Sequence, residues 1–201
     1  MSAASDLRVG CLVMAAGNAS RFGGNKLAAR FDGVTLIERT LRAIDSTLFS
    51  AVTVVTQYDA IEQLAAERGF AVIRNTQPEL GVSHTIRLGT EAMSDCDGIL
   101  YLVSDQPLLR ADSVRRVVEA WRSMPDRIVG AGHDGRRGNP NLFPARLFPE
   151  LLALEGDHGG NQVIRRHAEE FRLVEIPPLE LADCDTPQAL EDLKDLKDAA
   201  D

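Results

Sequence analysis

Short β-branched runs alternate with amphipathic helical patterns along most of the chain, and that alternation restricts the fold more than any single motif does. Leu7 to Met14 reads as a buried strand, followed by a glycine-rich segment from Ala15 to Asn25. The spacing predicts a helix from Thr35 to Leu48, where Thr35 and Glu38 make a capping box. Strand Ala51–Thr56, a helix from about Ala60 to Arg68 and strand Phe70–Ile73 come next, then a loop from Asn75 to Gly81. Ser83 stands where it would cap a helix running toward Met93. Gly98 to Ser104 reads as a fully buried strand, and Asp112 as the cap of a helix with Val114, Val117, Val118 and Trp121 inward. Ile128–Gly132 and Asn141–Phe143 flank the turn-rich His133–Gly138, which reads as a hairpin. Helices around 144–154 and 161–170, strand Arg172–Ile176 and a helix after Pro187 complete the pattern, with a fraying polar tail expected from about residue 194. This order predicts one α/β domain, a three-layer sandwich around a mostly parallel sheet with one antiparallel member.

The first strand delivers the glycine-rich segment, MAAGNASRFGGNK from Met14 to Lys26, to the carboxyl edge of that sheet. Ligands of open α/β folds bind at this edge. Small residues let the backbone approach a ligand, and successive N–H groups can form an anion-binding nest. Arg21 and Lys26 add two cations, a combination suited to a triphosphate. A P-loop is excluded because Asn25 separates Gly24 from Lys26 and Leu27 follows. A dinucleotide fingerprint fails at its second glycine, where Ala19 stands. The bland alternative is a flexible surface loop with two solvated cations.

The net charge of -8, spread along the chain, disfavours a nucleic-acid partner, which rewards a basic stripe. A nucleotide ligand is compatible with it, since local cations and amides suffice. No membrane span or secretory leader is legible at the N-terminus or elsewhere. Cys11, Cys96 and Cys184 are far apart and odd in number, so reduced structural cysteines and a cytoplasmic location are expected. The four histidines lack zinc-ligand spacing.

Two aspartates are candidate ligands for magnesium, a hard cation that takes carboxylates together with phosphate oxygens and water. Asp105 follows the buried strand ending at Ser104, although a turn role before Pro107 would also explain it. Asp185, in ADCDTP, could supply the second carboxylate, but Asp185 or Thr186 is also a natural cap for a helix starting at Pro187. Asp183 competes for the same metal role. Arg136 and Arg137 on the hairpin could meet an anionic acceptor, and Asp157 and His158 could line its pocket. An exposed basic turn and a helix-entry turn account for these residues equally simply.

The opening signature MAAGNASRFGGNK resembles that of the MobA-like nucleotidyltransferases. Ser104-Asp105-Gln106-Pro107, Gly138-Asn139-Pro140, Gly156-Asp157-His158-Gly159-Gly160 and Asp185-Thr186-Pro187 are similar to the molybdenum cofactor cytidylyltransferase branch. The resemblance extends from about Arg8 to about Leu190. It implies a Rossmann-like nucleotide-diphospho-sugar-transferase fold that transfers CMP from CTP to the terminal phosphate of molybdopterin and releases pyrophosphate. It further implies that Met14, Ala15, Ala16 and Gly17 lie beside the nucleotide and that Arg21 and Lys26 hold the triphosphate. Mg²⁺ would be held by Asp105 and Asp185, and Ser83 would contact the base. Ala16, where guanylyltransferase relatives commonly carry glycine, favours CTP over GTP. A transient contact with a molybdoenzyme or chaperone is also implied. Asn139 and Asn141 depart from the branch pattern, which usually has histidine and an aliphatic residue there; both belong to the acceptor side. GTP or a sugar or polyol phosphate acceptor, and a non-catalytic nucleotide-binding regulator, are the alternatives.

Overall fold

The computed structural model describes residues 7–17 and 25–199. Its first strand is β1 (Val9–Ala15), and a small hairpin of β2 (Arg30–Phe31) and β3 (Val34–Thr35) precedes helix α1 (Leu36–Arg42). Strand and helix then alternate through β4 (Ala51–Thr56), α2 (Asp59–Glu67), β5 (Ala71–Arg74), α3 (Val82–Ala92), β6 (Gly98–Val103) and α4 (Ala111–Ser123). The second half adds β7 (Ile128–His133), β8 (Arg136–Pro144), α5 (Phe148–Leu152), α6 (Asn161–Arg166), β9 (Phe171–Glu175) and α7 (Pro187–Asp198).

Seven strands form one sheet in the order β5-β4-β1-β6-β8-β7-β9, and only β8 runs antiparallel to its neighbours. The mostly parallel α/β sandwich expected from the sequence is the fold observed. In β1, Cys11, Val13 and Ala15 point to the face covered by α1, α2 and α4, while Leu12 points to the face covered by α3, α5 and α6. The two-residue side-chain period thus fills both faces from a continuous apolar run, as a doubly covered strand requires. Helix α3 packs so closely on β1 that a Cβ at Gly89 would lie 2.3 Å from Leu12 Cδ1. A third cluster of Phe31, Leu36, Cys184, Leu190 and Leu193 docks α7 against the small hairpin. Among the described residues, no helix is long and apolar enough to cross a membrane.

Several boundaries differ from the sequence reading for local reasons. Helix α1 stops at Arg42, because Asp45 accepts from the Thr47 N–H (3.1 Å) and starts a separate 3₁₀ turn at Ser46–Leu48. The Thr35–Glu38 capping box is present. Helix α3 begins at Val82, so Ser83 is not its cap; that position is Gly81, at φ +85°. Asp112 lies inside the first turn of α4, and the carboxylate of Glu180 accepts from the preceding Arg110 N–H at 3.0 Å. Pro144 ends β8 rather than starting a helix, and α6 stops at Arg166. The C-terminal helix runs on to Asp198, since Leu190 and Leu193 anchor it and Lys197 pairs with Asp32 at 3.2 Å. The β2–β3 hairpin was not expected, although Asp32-Gly33, with φ of 50° and 77°, carries the same turn chemistry as Asp134-Gly135 between β7 and β8.

Where α6 ends, His167 bridges Glu150 (2.6 Å) and Glu170 (3.2 Å). The hydrogen bond that His167 donates to Glu150, against a smaller effect of burial, raises the His167 pKa above its ordinary value of 6.5. A raised histidine contributes stability that is fully present below the unfolded value and lost as pH rises through the folded one. Urea unfolding of the parent and of His167→Gln should therefore differ most near pH 6 and converge as pH rises through the folded value. A constant difference across that range contradicts the assignment.

Candidate active site

The sheet changes direction beside β1: β4 and β5 extend on one side, β6 on the other. Met14 is in register with both Val55 and Val103, so three parallel strands end level and open a crevice at their carboxyl ends. Side chains from the flanking strands pin the chain leaving β1. Ser104 Oγ donates to the Met14 carbonyl and Thr56 Oγ1 to that of Ala15, both at 3.0 Å. Gln57 Nε2 donates to the Ala16 carbonyl at 2.9 Å and Tyr58 Oη to that of Gly17 at 3.1 Å. In a planar trans peptide the N–H points opposite to the carbonyl, so holding the Ala16 oxygen also fixes where the Gly17 N–H points. Among the described residues, a Cβ at Gly17 would meet nothing within 4 Å.

A cavity of about 490 Å³ occupies the crevice, with Met14, Ala16, Gly17, Lys26, Asp105 and Asp185 in its wall. Lys26 is carried there by the 3₁₀ turn Lys26–Ala28, which Asn25 caps by accepting from the Leu27 N–H at 3.1 Å. Its Nζ lies 2.8 Å from Asp105 Oδ2 and 2.8 Å from Asp185 Oδ1. Residues 79 and 159 positions away in sequence thus meet one ammonium. The Lys26 and Asp105 side chains keep only 17% and 21% exposure, whereas Asp185 keeps 60% and faces the opening. Burial alone would favour the neutral amine, but Asp105 and Asp185 together outweigh it and hold the Lys26 pKa above its usual range. Asp105 Oδ1 is buried and has no hydrogen-bond partner among the described residues. A buried carboxylate oxygen left unpaired is costly, so this atom is chemically suited to a cation or a ligand N–H.

The remaining sequence candidates separate clearly. Thr186, not Asp185, caps α7 by accepting from the Ala189 N–H at 3.1 Å, which leaves Asp185 directed to Lys26. Asp183 lines a different cavity with Gln106 and the hairpin. Local burial of its carboxyl, and next the Asp105 charge, push its pKa up to about 6, although the residue keeps solvent contact. Ala15 is buried within β1. Ser83 is 1% exposed, its hydroxyl 3.5 Å from the Leu80 carbonyl, and Gly81, Val82 and Thr85 line the crevice instead. Arg21 lies outside the described residues. Arg136, Arg137 and Asn139 flank the cavity that holds Asp183, and Asp157 reaches the crevice itself.

Sequence reasoning missed Gln57 and Tyr58, which directly follow strand β4 and so arrive beside the β1 loop. It also missed the clasp between Gly81 and the turn at Gly156, where the Ser83 N–H donates to the Gly156 carbonyl at 3.1 Å. A Cβ at Gly81 would lie 2.4 Å from the Gly156 carbonyl carbon and oxygen, at a φ that side chains resist. Isolated glycines in a loop were the only sequence signal for that contact.

The fold is that of α/β nucleotidyl transferases. The chain superposes on a nucleotidyl transferase from Methanothermobacter thermautotroptrophicus with a TM-score of 0.79 at 23% identity, over 96% of this chain and 99% of the other. A CMP:2-keto-3-deoxy-manno-octonic acid synthetase complexed with CTP gives 0.73 at 14% identity, over 96% and 99%. Residues 11–171 match the MobA-like NTP transferase domain, and the chain belongs to that family. Asp185 and α7 lie beyond the matched span. The purine catabolism protein PucB of Bacillus subtilis is 27% identical over 164 residues, 76% of this chain and 78% of PucB.

Proposed function

We propose that this nucleotidyltransferase moves CMP from CTP to the terminal phosphate of molybdopterin, releasing pyrophosphate, with Mg²⁺ as its metal. The observation that carries the reading is the convergence of Lys26, Asp105 and Asp185 on one cavity at the carboxyl ends of β1 and β6. The unpartnered Asp105 Oδ1 and the exposed Asp185 carboxylate form an all-oxygen donor pair that fits a hard divalent cation. Mg²⁺ held by these two carboxylates would neutralise phosphate charge and favour in-line displacement at the α-phosphorus.

The rest of the chemistry falls to the chain itself. Ala16 and Gly17, held through their carbonyls, would offer N–H groups to the triphosphate without reorganising. Lys26 carries the fixed positive charge that stabilises the leaving pyrophosphate, and Arg21 is assigned the same task from the sequence. The acceptor phosphate is ionised at neutral pH, so the site needs positioning and charge rather than a general base. Ala16 supports CTP over GTP through the resemblance of its motif, and a protein of the same fold has been solved with CTP.

The test is pyrophosphate release from each NTP in combination with molybdopterin, a sugar phosphate and a polyol phosphate. CTP with molybdopterin should exceed every other pair by at least about tenfold in kcat/KM, about 1.4 kcal/mol of transition-state preference. A preference for GTP, or for a sugar or polyol phosphate, contradicts the reading.

A further inference from the structure

The nucleotide crevice continues into two further cavities. One of about 460 Å³ shares Met14, Val82, Val103 and Asp157 with the crevice. The other, about 670 Å³, shares Asn139 and Asn161 with the first. Asn139 therefore stands at a junction of a trough that begins at Lys26 and Asp105.

The orientation of its carboxamide follows from its neighbours. Asn141 is 5% exposed, and its amide lies 2.9 Å from the Gly138 carbonyl and 2.9 Å from the Asn139 side chain. A backbone carbonyl only accepts, so the Asn141 group facing Gly138 is its NH₂. The same NH₂ meets Asn139, which must answer with its oxygen. The Asn139 NH₂ then points away from Asn141, and it has no hydrogen-bond partner among the described residues. Asn141 keeps this orientation although its own Oδ1 is left buried and unpaired, packed where a Cβ at Gly130 would lie 2.0 Å away. A buried acceptor without a partner is costly, and the arrangement it accompanies delivers a donor to the trough.

We infer that Asn139 determines acceptor specificity, donating a hydrogen bond to a carbonyl oxygen or ring nitrogen behind the acceptor phosphate, with Asn141 as the positioning residue. The inference rests on the transfer reading above and adds the part of the acceptor that the chain reads. A carboxamide does not titrate, so the Asn139 donor itself stays in place across the working pH range.

The experiment measures KM for CTP and for the best acceptor of the molybdopterin, sugar phosphate and polyol phosphate panel. Asn139→Asp keeps an oxygen for Asn141 and removes the donor; Asn139→Ala removes both without adding charge. Each should raise the acceptor KM about tenfold, the loss of one hydrogen bond, and leave the CTP KM unchanged. Asn141→Ala should shift the same constant, and the Asn139→Ala/Asn141→Ala double variant should be no worse than Asn139→Ala alone. Unchanged acceptor KM in both Asn139 variants, or an equal rise for CTP, overturns the inference while the transfer reading stands. A parent protein that turns over no acceptor of the panel overturns the reading, and the inference falls with it.

Discussion

Lys26→Ala should lower kcat about 10²–10³-fold in a folded protein, the usual cost of losing one preorganised charge contact. The same variant should bind a divalent metal more tightly when nucleotide is absent. Both effects follow from one geometry. The ammonium lies 2.8 Å from Asp105 and from Asp185, and an arriving cation must compete with it for both carboxylates. Removing the ammonium removes the competitor, worth at least about tenfold in affinity even after solvent screening of the exposed Asp185. Catalysis moves the other way because the charge on the leaving pyrophosphate loses its fixed partner. Calorimetric Mn²⁺ titration and pyrophosphate release, run on the same preparation, separate the two signs. A variant with parent turnover, or with weakened metal binding, contradicts the assignment.

Asp105→Ala should cost a similar 10²–10³-fold in kcat, and here metal binding should fall with it. Asp105 is the less exposed of the two carboxylates and the one with a buried, unpartnered oxygen. Its loss also changes Lys26. Burial favours the neutral amine, and Asp105 supplies the largest opposing influence, so the Lys26 pKa should fall without it. The stability gained from the raised Lys26 value is complete below the unfolded value, so at neutral pH the variant loses the part Asp105 supplies, and circular dichroism at pH 7 checks that it still folds. Lysine labelling at pH 9 should become faster at Lys26 in the variant. Parent turnover with parent Mg²⁺ dependence would leave Asp105 as a turn residue only.

Much of this architecture was legible because it is repetitive. Strand β1 announces itself by an apolar run, and the hairpin by Asp134-Gly135 between two strands. The helix ends were less legible, because competing local bonds decide them. Asp45 ends the α1 stretch with its own side chain, and Glu180 serves the start of α4 from 70 residues away. The site shows the same division. Lys26, Asp105 and Asp185 were nameable because each follows a recognisable element or loop. The choice between Asp183 and Asp185 was not, since both leave the same segment and only the fold decides which carboxylate turns toward Lys26. Nor could sequence place Ser83: a helix starting two residues earlier than a Ser83 cap would allow buries that side chain, and Val82 and Thr85 face the cavity instead. The amide of Asn139 was invisible for a related reason, because its direction is fixed by the Gly138 carbonyl through Asn141.

The most direct test is a crystal structure with CTP and Mn²⁺, the metal located by its anomalous signal. A single metal peak coordinated by Asp105 and Asp185 is expected, with Lys26 moved from those carboxylates onto the triphosphate. A metal that touches neither carboxylate, or a triphosphate seated beyond the reach of Lys26, would contradict the assignment.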